Sequence, residues 1–133
     1  MQNFTLLKDD IISPREAIEL YAAVGWGKAE EYSEETVIRA FKNTQICISA
    51  RNDEGKLLGF VRVLTDYAFN ATIADIVVHP DFQKLGVGRA LMEEAKKQLG
   101  STAIFLEAMP QNEEFFKKCG FKKRDMVVMS ARF

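Results

Sequence analysis

Between Gln83 and Arg89 the chain reads Gln-Lys-Leu-Gly-Val-Gly-Arg, two glycines one residue apart beside two cations. Such a stretch can hold an anion. Glycine lets backbone N–H groups approach a ligand with no Cβ in the way, and Lys84 and Arg89 add positive charge. The flanks strengthen this reading. Thr72 to His79 carries Ile73, Ile76, Val77 and Val78, the β-branched content of a covered strand. Pro80 ends it, because proline brings no N–H to a ladder. Beyond the loop, Val87, Ala90, Leu91, Ala95 and Leu99 share one helical face, with Glu93, Glu94, Lys96 and Lys97 largely opposite. The loop therefore feeds a helix N-terminus, whose unpaired N–H groups and positive dipole end suit a phosphate. A merely structural turn is the other reading of the same residues.

Other candidate groups surround that loop. Asp75 is an acid inside an apolar strand, and a buried carboxylate requires donors. It either meets a cation such as Arg62 or faces a cleft as a general base. Histidine is the side chain suited to proton transfer near neutral pH, but the place of His79, the only one, beside Pro80 favours a structural role. Cys47 and Cys119 lie far apart without metal-ligand spacing and read as free thiols, Cys119 as a buried filler. Two familiar phosphate loops are excluded. A dinucleotide fingerprint requires a third glycine where Leu91 stands, and no Gly-Lys-Ser/Thr tripeptide occurs for a Walker loop.

The elements that must position these groups follow from local chemistry. Asn3 to Lys8 reads as a first strand. Ser13 followed by Pro14 starts a helix that runs to about Val24, broken by Gly25-Trp26-Gly27. A second helix starts at Ser33, with Glu34 and Glu35 in its first turn, and ends near Asn43. Gln45 to Arg51 and Lys56 to Thr65 form a hairpin about Asn52-Asp53-Glu54-Gly55. After the central strand and helix, Gly100 is a stop signal. Ala103 to Ala108 is a strand parallel to the central one, Asn112 to Lys118 a short helix, and Phe121 to Phe133 a final strand or hairpin. The predicted order is β-α-α-β-β-β-α-β-α-β, an α/β fold with a mixed sheet in one domain spanning 1–133.

At 133 residues the chain has room for a core, and a net charge of −1 gives no sign of the basic face that a nucleic-acid partner usually requires. No apolar run reaches membrane length, and Asp9 and Asp10 interrupt the start. A soluble, cytoplasmic protein with neither a membrane nor a nucleic-acid partner is expected.

Gln-x-x-Gly-x-Gly after a strand that ends Val-x-Pro, together with the element order, resembles the GNAT acetyltransferase superfamily over essentially the full chain. The resemblance implies the GNAT fold, acetyl-CoA as cofactor and transfer of its acetyl group to a primary amine in a ternary complex. It assigns the pantetheine arm and acetyl group to Ile76, Val77 and Val78, with an N–H near Val78 polarising the carbonyl. The diphosphate falls to Gln83, Lys84, Leu85, Gly86, Val87, Gly88 and Arg89. A primary amine with a pKa of ~10 is neutral about one time in a thousand at pH 7, so a base or a water chain is expected to help remove its proton. Asp75 is the first candidate, and Glu107 resembles the position where some members place theirs.

The acceptor pocket implied by the resemblance runs from Tyr21 to Tyr32 and from Asp66 to Phe69, with Trp26, Tyr32, Asp66 and Tyr67 as its candidate contacts, in stretches similar to small-amine members that include the plastid-type serotonin acetyltransferases. Trp26 suits a flat or cationic acceptor and Asp66 an ammonium; their bland roles are a loop anchor and a turn. The chain departs from the family in its last helix. Asn112 lies closer to Phe116 than is usual, which weakens its expected contact with the pantetheine, and Phe116 stands where a tyrosine usually protonates the thiolate. Phenylalanine has no proton to give, so water, Tyr21, Tyr32, Tyr67 or Cys119 is left for that role. A protein or peptide acetyltransferase and a non-catalytic acyl-CoA-binding regulatory module stand as alternatives. The apolar Met126 to Met129 leaves open a homodimer through the last strand.

Overall fold

A computed structural model describes residues 3–132. Strand β1 is Thr5–Leu7, helix α1 Pro14–Ala23, α2 Glu34–Lys42, β2 Ile46–Arg51, β3 Leu57–Thr65 and β4 Asn70–Val78. Helix α3 is Val87–Leu99, β5 Ala103–Phe105 and α4 Glu113–Lys118. Short 3-10 turns occupy Ala29–Glu31, Pro80–Phe82 and Pro110–Asn112. No helix among the described residues is long and apolar enough to cross a membrane.

Local signals place most of these elements. Ser13 Oγ accepts from Glu16 N–H at 3.1 Å while Glu16 Oε1 accepts from Ser13 N–H at 3.1 Å, a reciprocal cap that satisfies two orphan donors at the head of α1. Ser33 Oγ caps α2 by accepting from Thr36 N–H at 3.2 Å. The β2–β3 turn is held by Asn52 Oδ1, which accepts from Glu54 and Lys56 N–H at 3.0 and 2.9 Å.

The sheet runs β1-β2-β3-β4-β5, antiparallel except for the parallel β4–β5 pair that the α3 crossover requires. Pairing with β5 covers only Asn70, Ala71 and Thr72 of β4. One residue is inserted in β4 against β3: Arg62 opposes Asp75 and Val63 opposes Ile73, so Ala74 has no partner. Because the side-chain period is 2, this bulge swaps faces. Ile73 and then Ile76 and Val78 meet the core under α3, built on Val61, Leu91, Met92 and Ala95. Val77 meets the second core under α1 and α2, built on Ala17, Tyr21, Val37 and Phe60. Asp75 faces that second side as well.

The expected final strand at 121–133 does not form. Residues 121–132 are irregular, Phe133 lies outside the described residues, and Met126 to Met129 are 67–87% exposed. Strand propensity is realised only against a partner edge, and β5, three residues rather than the expected six, offers little ladder. The first strand is likewise shorter than 3–8, while β4 starts two residues before the expected Thr72.

A second anchor joins the N-terminal arm to the sheet. Arg51 donates to Asp10 Oδ2 at 2.6 Å and to Glu16 Oε2 and Oε1 at 2.7 and 3.1 Å, and Ser49 Oγ donates to Asp10 at 2.7 Å. The bond from Arg51 holds the Glu16 carboxyl below its ordinary 4.5. A depressed folded-state value stabilises the fold above about pH 4.5 and loses that stabilisation as pH falls through it. In urea unfolding, Arg51→Met is expected to be less stable than wild type near neutrality, with the gap narrowing below about pH 4. Gly59 tests the sheet itself: a Cβ there would lie 2.5 Å from Val77 O and 3.2 Å from Val78 Cα, both backbone. Gly59→Ala is expected to lose about 1–3 kcal/mol, read as a lower urea midpoint at unchanged slope.

Candidate functional site

Beyond Thr72, β4 loses its partner on the β5 side, so the strand from Ile73 to Val78 presents an open edge toward α3 and the glycine loop. His79 N–H donates to Leu58 O at 2.7 Å and closes the other edge against β3. The chain then turns through Pro80–Phe82, with His79 Nδ1 accepting from Asp81 N–H at 3.1 Å. His79 thus works as a cap for this turn, as its place beside proline suggested. Gln83 Nε2 donates to Val78 O at 3.0 Å and ties the loop to the strand end.

Lys84 and Gly86 adopt positive φ, +66° and +89°. Gly86 is the N-cap of α3 and supplies no side chain to its first-turn N–H groups, so the head of a 13-residue helix keeps its donors for a ligand. Val87 is buried and anchors the loop; Lys84, Leu85 and Arg89 are exposed. Gly88 is close-packed: a Cβ would meet Phe115 Cζ at 3.2 Å. Strand, loop and helix head follow one another as the residue pattern implied, and the open strand edge is added by the short pairing with β5.

On the opposite face lies a polar group in an aromatic setting. Asp75 Oδ2 accepts from Tyr21 Oη at 2.5 Å and from Arg62 Nε at 2.6 Å, and Oδ1 accepts from Arg62 Nη2 at 3.2 Å. The Asp75 and Arg62 side chains are each only 14% exposed. Arg62 also donates to Thr44 Oγ1 at 2.9 Å and lies over the Phe41 ring at 5.4 Å. Burial works against the Arg62 charge, and its bonds to Asp75 outweigh it, raising its pKa. Burial first, then the Asp75 charge, pushes the Tyr21 phenol well above its ordinary value. Cys47, cross-strand from Arg62, is pushed up to about 11 by burial, opposed by Arg62 and aided by Asp75, so it stays a thiol. Of the two roles open to Asp75, meeting Arg62 is the one the fold adopts.

Tyr21 is stacked on Trp26 and on Tyr32, centroids 5.8 and 5.5 Å apart, and sits edge-on to Phe60. Tyr32 Oη donates to Trp26 O, and Trp26 N–H donates to Tyr21 O at 2.9 Å. Burial, Asp75 and Glu31 raise the Tyr32 phenol. Trp26 is 46% exposed and offers this layer to solvent. The sequence placed Tyr21 at the start of the acceptor stretch that ends at Tyr32, and among the possible proton donors, but did not reveal it as the centre of the stack. Its i+5 and i+11 relation to the other rings has no single helical period to reveal it.

The remaining candidates separate. Asp66 and Tyr67 sit on the β3–β4 turn, at the end of β4 away from the glycine loop. Asp66 Oδ1 accepts from Ala68, Phe69 and Asn70 N–H at 2.9, 2.9 and 3.0 Å, which lowers its pKa and commits that oxygen to the turn. Tyr67, at φ +59°, is exposed and reaches Gln45 O at 3.3 Å. Glu107 is exposed, two residues past the last paired residue of β5. Asn112 is exposed ahead of α4 and caps nothing. Phe116 is 9% exposed, its ring against Phe115 and Phe121 in the α3-side core, so Phe115 is the aromatic that α4 brings to Gly88. An open groove of about 410 Å³ lies between β5, α4 and the C-terminal segment, lined by Ile104, Phe116, Phe121 and Met126 among others and by none of residues 83–89.

Comparison with known proteins agrees with this geometry. A family model described as an acetyltransferase (GNAT) domain matches residues 43–123. The uncharacterized N-acetyltransferase ycf52 of Porphyra purpurea is 40% identical over 129 residues, 88% of this chain and 72% of that protein. Serotonin N-acetyltransferase 2, chloroplastic, of Oryza sativa is 35% identical over 109 residues, 77% of this chain and 53% of that protein. In fold, protein SA2161 of methicillin-resistant Staphylococcus aureus superposes with a TM-score of 0.85 at 20% identity, covering 98% of this chain and 99% of that one. The chain belongs to the GNAT superfamily and is an acetyl-CoA-dependent N-acetyltransferase.

Proposed function

We propose that the chain acetylates a small-molecule primary amine, with acetyl-CoA held along the open edge of β4 and on the head of α3. The observation that carries this is the convergence of three features: a strand edge left open beyond Thr72, an uncapped helix head on Gly86, and a half-exposed Trp26 over the Asp75 side of the same strand. The residues fit such a ligand. An extended chain bearing amides pairs with a free strand edge as an added strand would, which assigns the pantetheine arm to Ile76, Val77 and Val78. A diphosphate fits N–H groups from Lys84 to Arg89, with the helix dipole contributing up to about 2 kcal/mol. Acetyl-CoA supplies an acyl group activated as a thioester.

The chain's own groups divide the remaining work. Asp75, with three donors on its two oxygens, holds Tyr21 and Arg62 in place, and we assign it that anchoring role. Glu107 makes no hydrogen bond or ion pair with the described residues, and we assign it the proton of the attacking amine, directly or through water. Trp26 and Tyr32 present an aromatic surface that suits a flat or cationic acceptor. The likeness to a serotonin acetyltransferase supports a small amine of that kind.

Acetyl-CoA turnover against arylalkylamines, polyamines and lysine peptides, followed by free thiol and product mass, tests the assignment. Thiol release with a matching acetylated arylalkylamine is expected; turnover confined to peptides would replace the small-amine reading by a protein acetyltransferase. Gly86→Val, which forces a β-branched residue to φ +89°, is expected to weaken acetyl-CoA binding at least about tenfold by calorimetry. Unchanged binding would remove the loop from the cofactor site. Glu107→Gln is expected to lower kcat about a hundredfold with KM for acetyl-CoA unchanged, and a wild-type pH profile in that variant would leave proton removal to water.

A further inference from the structure

Among the described residues, Tyr21 is the one side chain of the aromatic layer that hydrogen-bonds to the central strand. Its ring touches Trp26, Tyr32 and Phe60, its carbonyl accepts from Trp26 N–H, and its hydroxyl donates to Asp75, the neighbour of Ile76 on β4. Trp26 is otherwise carried by a loop between two glycines at φ +86° and +88°, which offers little stiffness of its own. Tyr32 Oη closes that loop onto Trp26 O but does not reach the sheet. On the far side, Asp75 is fixed by Arg62, and Arg62 by Thr44 and Phe41. A continuous chain of contacts thus runs from an exposed indole to the strand whose edge faces the glycine loop.

We propose that Tyr21 is a positioning and specificity-determining residue of the acyl transfer: its bond to Asp75 sets the distance between the Trp26–Tyr32 surface and the open edge of β4, and so selects amines by reach. This rests on the amine site assigned above. An acceptor seated on Trp26 must bring its nitrogen to the strand edge, and small displacements at a reacting centre are costly, up to about a hundredfold in rate per ångström. Losing the hydroxyl frees the aromatic layer to shift relative to β4 while leaving the loop at 83–89 untouched.

The test uses the full chain with Tyr21→Phe, Asp75→Asn, the double variant and Trp26→Ala. Phenylalanine keeps the ring, so the stack and the core survive. With acetyl-CoA and the series butylamine, phenethylamine and tryptamine, Tyr21→Phe is expected to lower kcat/KM for the preferred amine about tenfold or more. It should change KM for acetyl-CoA less than about twofold and narrow the preference among the three amines. The double variant should lose no more than the worse single one, as two ends of a single bond require; losses that multiply would overturn the coupling. If Tyr21→Phe keeps wild-type amine kinetics and ranking while Trp26→Ala loses them, the Tyr21 proposal falls and the amine site stands. If Trp26→Ala also changes nothing, the amine site falls and the proposal with it. A second reading requires no acceptor. Trp26 is the only tryptophan, and acrylamide quenching of its emission should rise in Tyr21→Phe. Unaltered quenching, even if no amine in the series is turned over, would overturn the proposal.

Discussion

One unmatched residue, Ala74, organises the molecule. With strict alternation along β4, Asp75 would share a face with Ile73 and point into the core under α3, among Leu91, Met92 and Ala95. A carboxylate there would lack donors, and its effective desolvation cost would be several kcal/mol. The bulge reverses the alternation after Ile73, so Asp75 turns to the α1 side, where Tyr21 and Arg62 supply three hydrogen bonds. Ile76 and Val78 return to the α3 core. Pairing with β5 ends two residues before the bulge, which also bends the strand it interrupts. The open edge and the turned carboxylate are thus neighbouring features of one short segment.

The two faces of this strand are built differently. On one side the helix head is rigid because Val87, Leu91 and Ala95 are buried, while its N–H groups are left uncapped by Gly86. On the other, Asp75, Arg62, Tyr21 and Thr44 hydrogen-bond one another within an aromatic setting, with the Asp75 and Arg62 side chains only 14% exposed. A buried pair of this kind contributes little net stability, whereas removing one partner costs about 3–5 kcal/mol. Its value lies in geometry, since it locks α1, β3 and β4 into one arrangement at the bulge.

Much of this was legible from the chain. Ser13-Pro14 with Glu16, Ser33 with its acidic first turn, and Asn52 to Gly55 are local hydrogen-bonding devices that act over three or four residues, so reading them requires no tertiary information. The glycine loop was legible for the same reason, because strand, proline, glycines and helix follow one another directly. The last segment shows the limit. Met126 to Met129 has strand composition yet stays irregular and exposed, because a strand exists only with an edge to pair. Asp66 shows another: a short acid at a turn offers its oxygen to its own backbone first, here three N–H groups, before any distant ammonium.

The sequence by itself determined the α/β order, the caps and turns, and the phosphate-type loop ahead of α3, since each depends on neighbours along the chain. Only the tertiary structure decided that Asp75 is ion-paired with Arg62, that Phe116 turns into the core while Phe115 meets Gly88, and that Tyr21 is the hub of the aromatic layer. Those outcomes depend on a one-residue shift in register and on contacts between residues as far apart as Tyr21 and Asp75. Nothing in local composition encodes which face a strand residue takes after a bulge, because that is settled by which of the two cores can satisfy it.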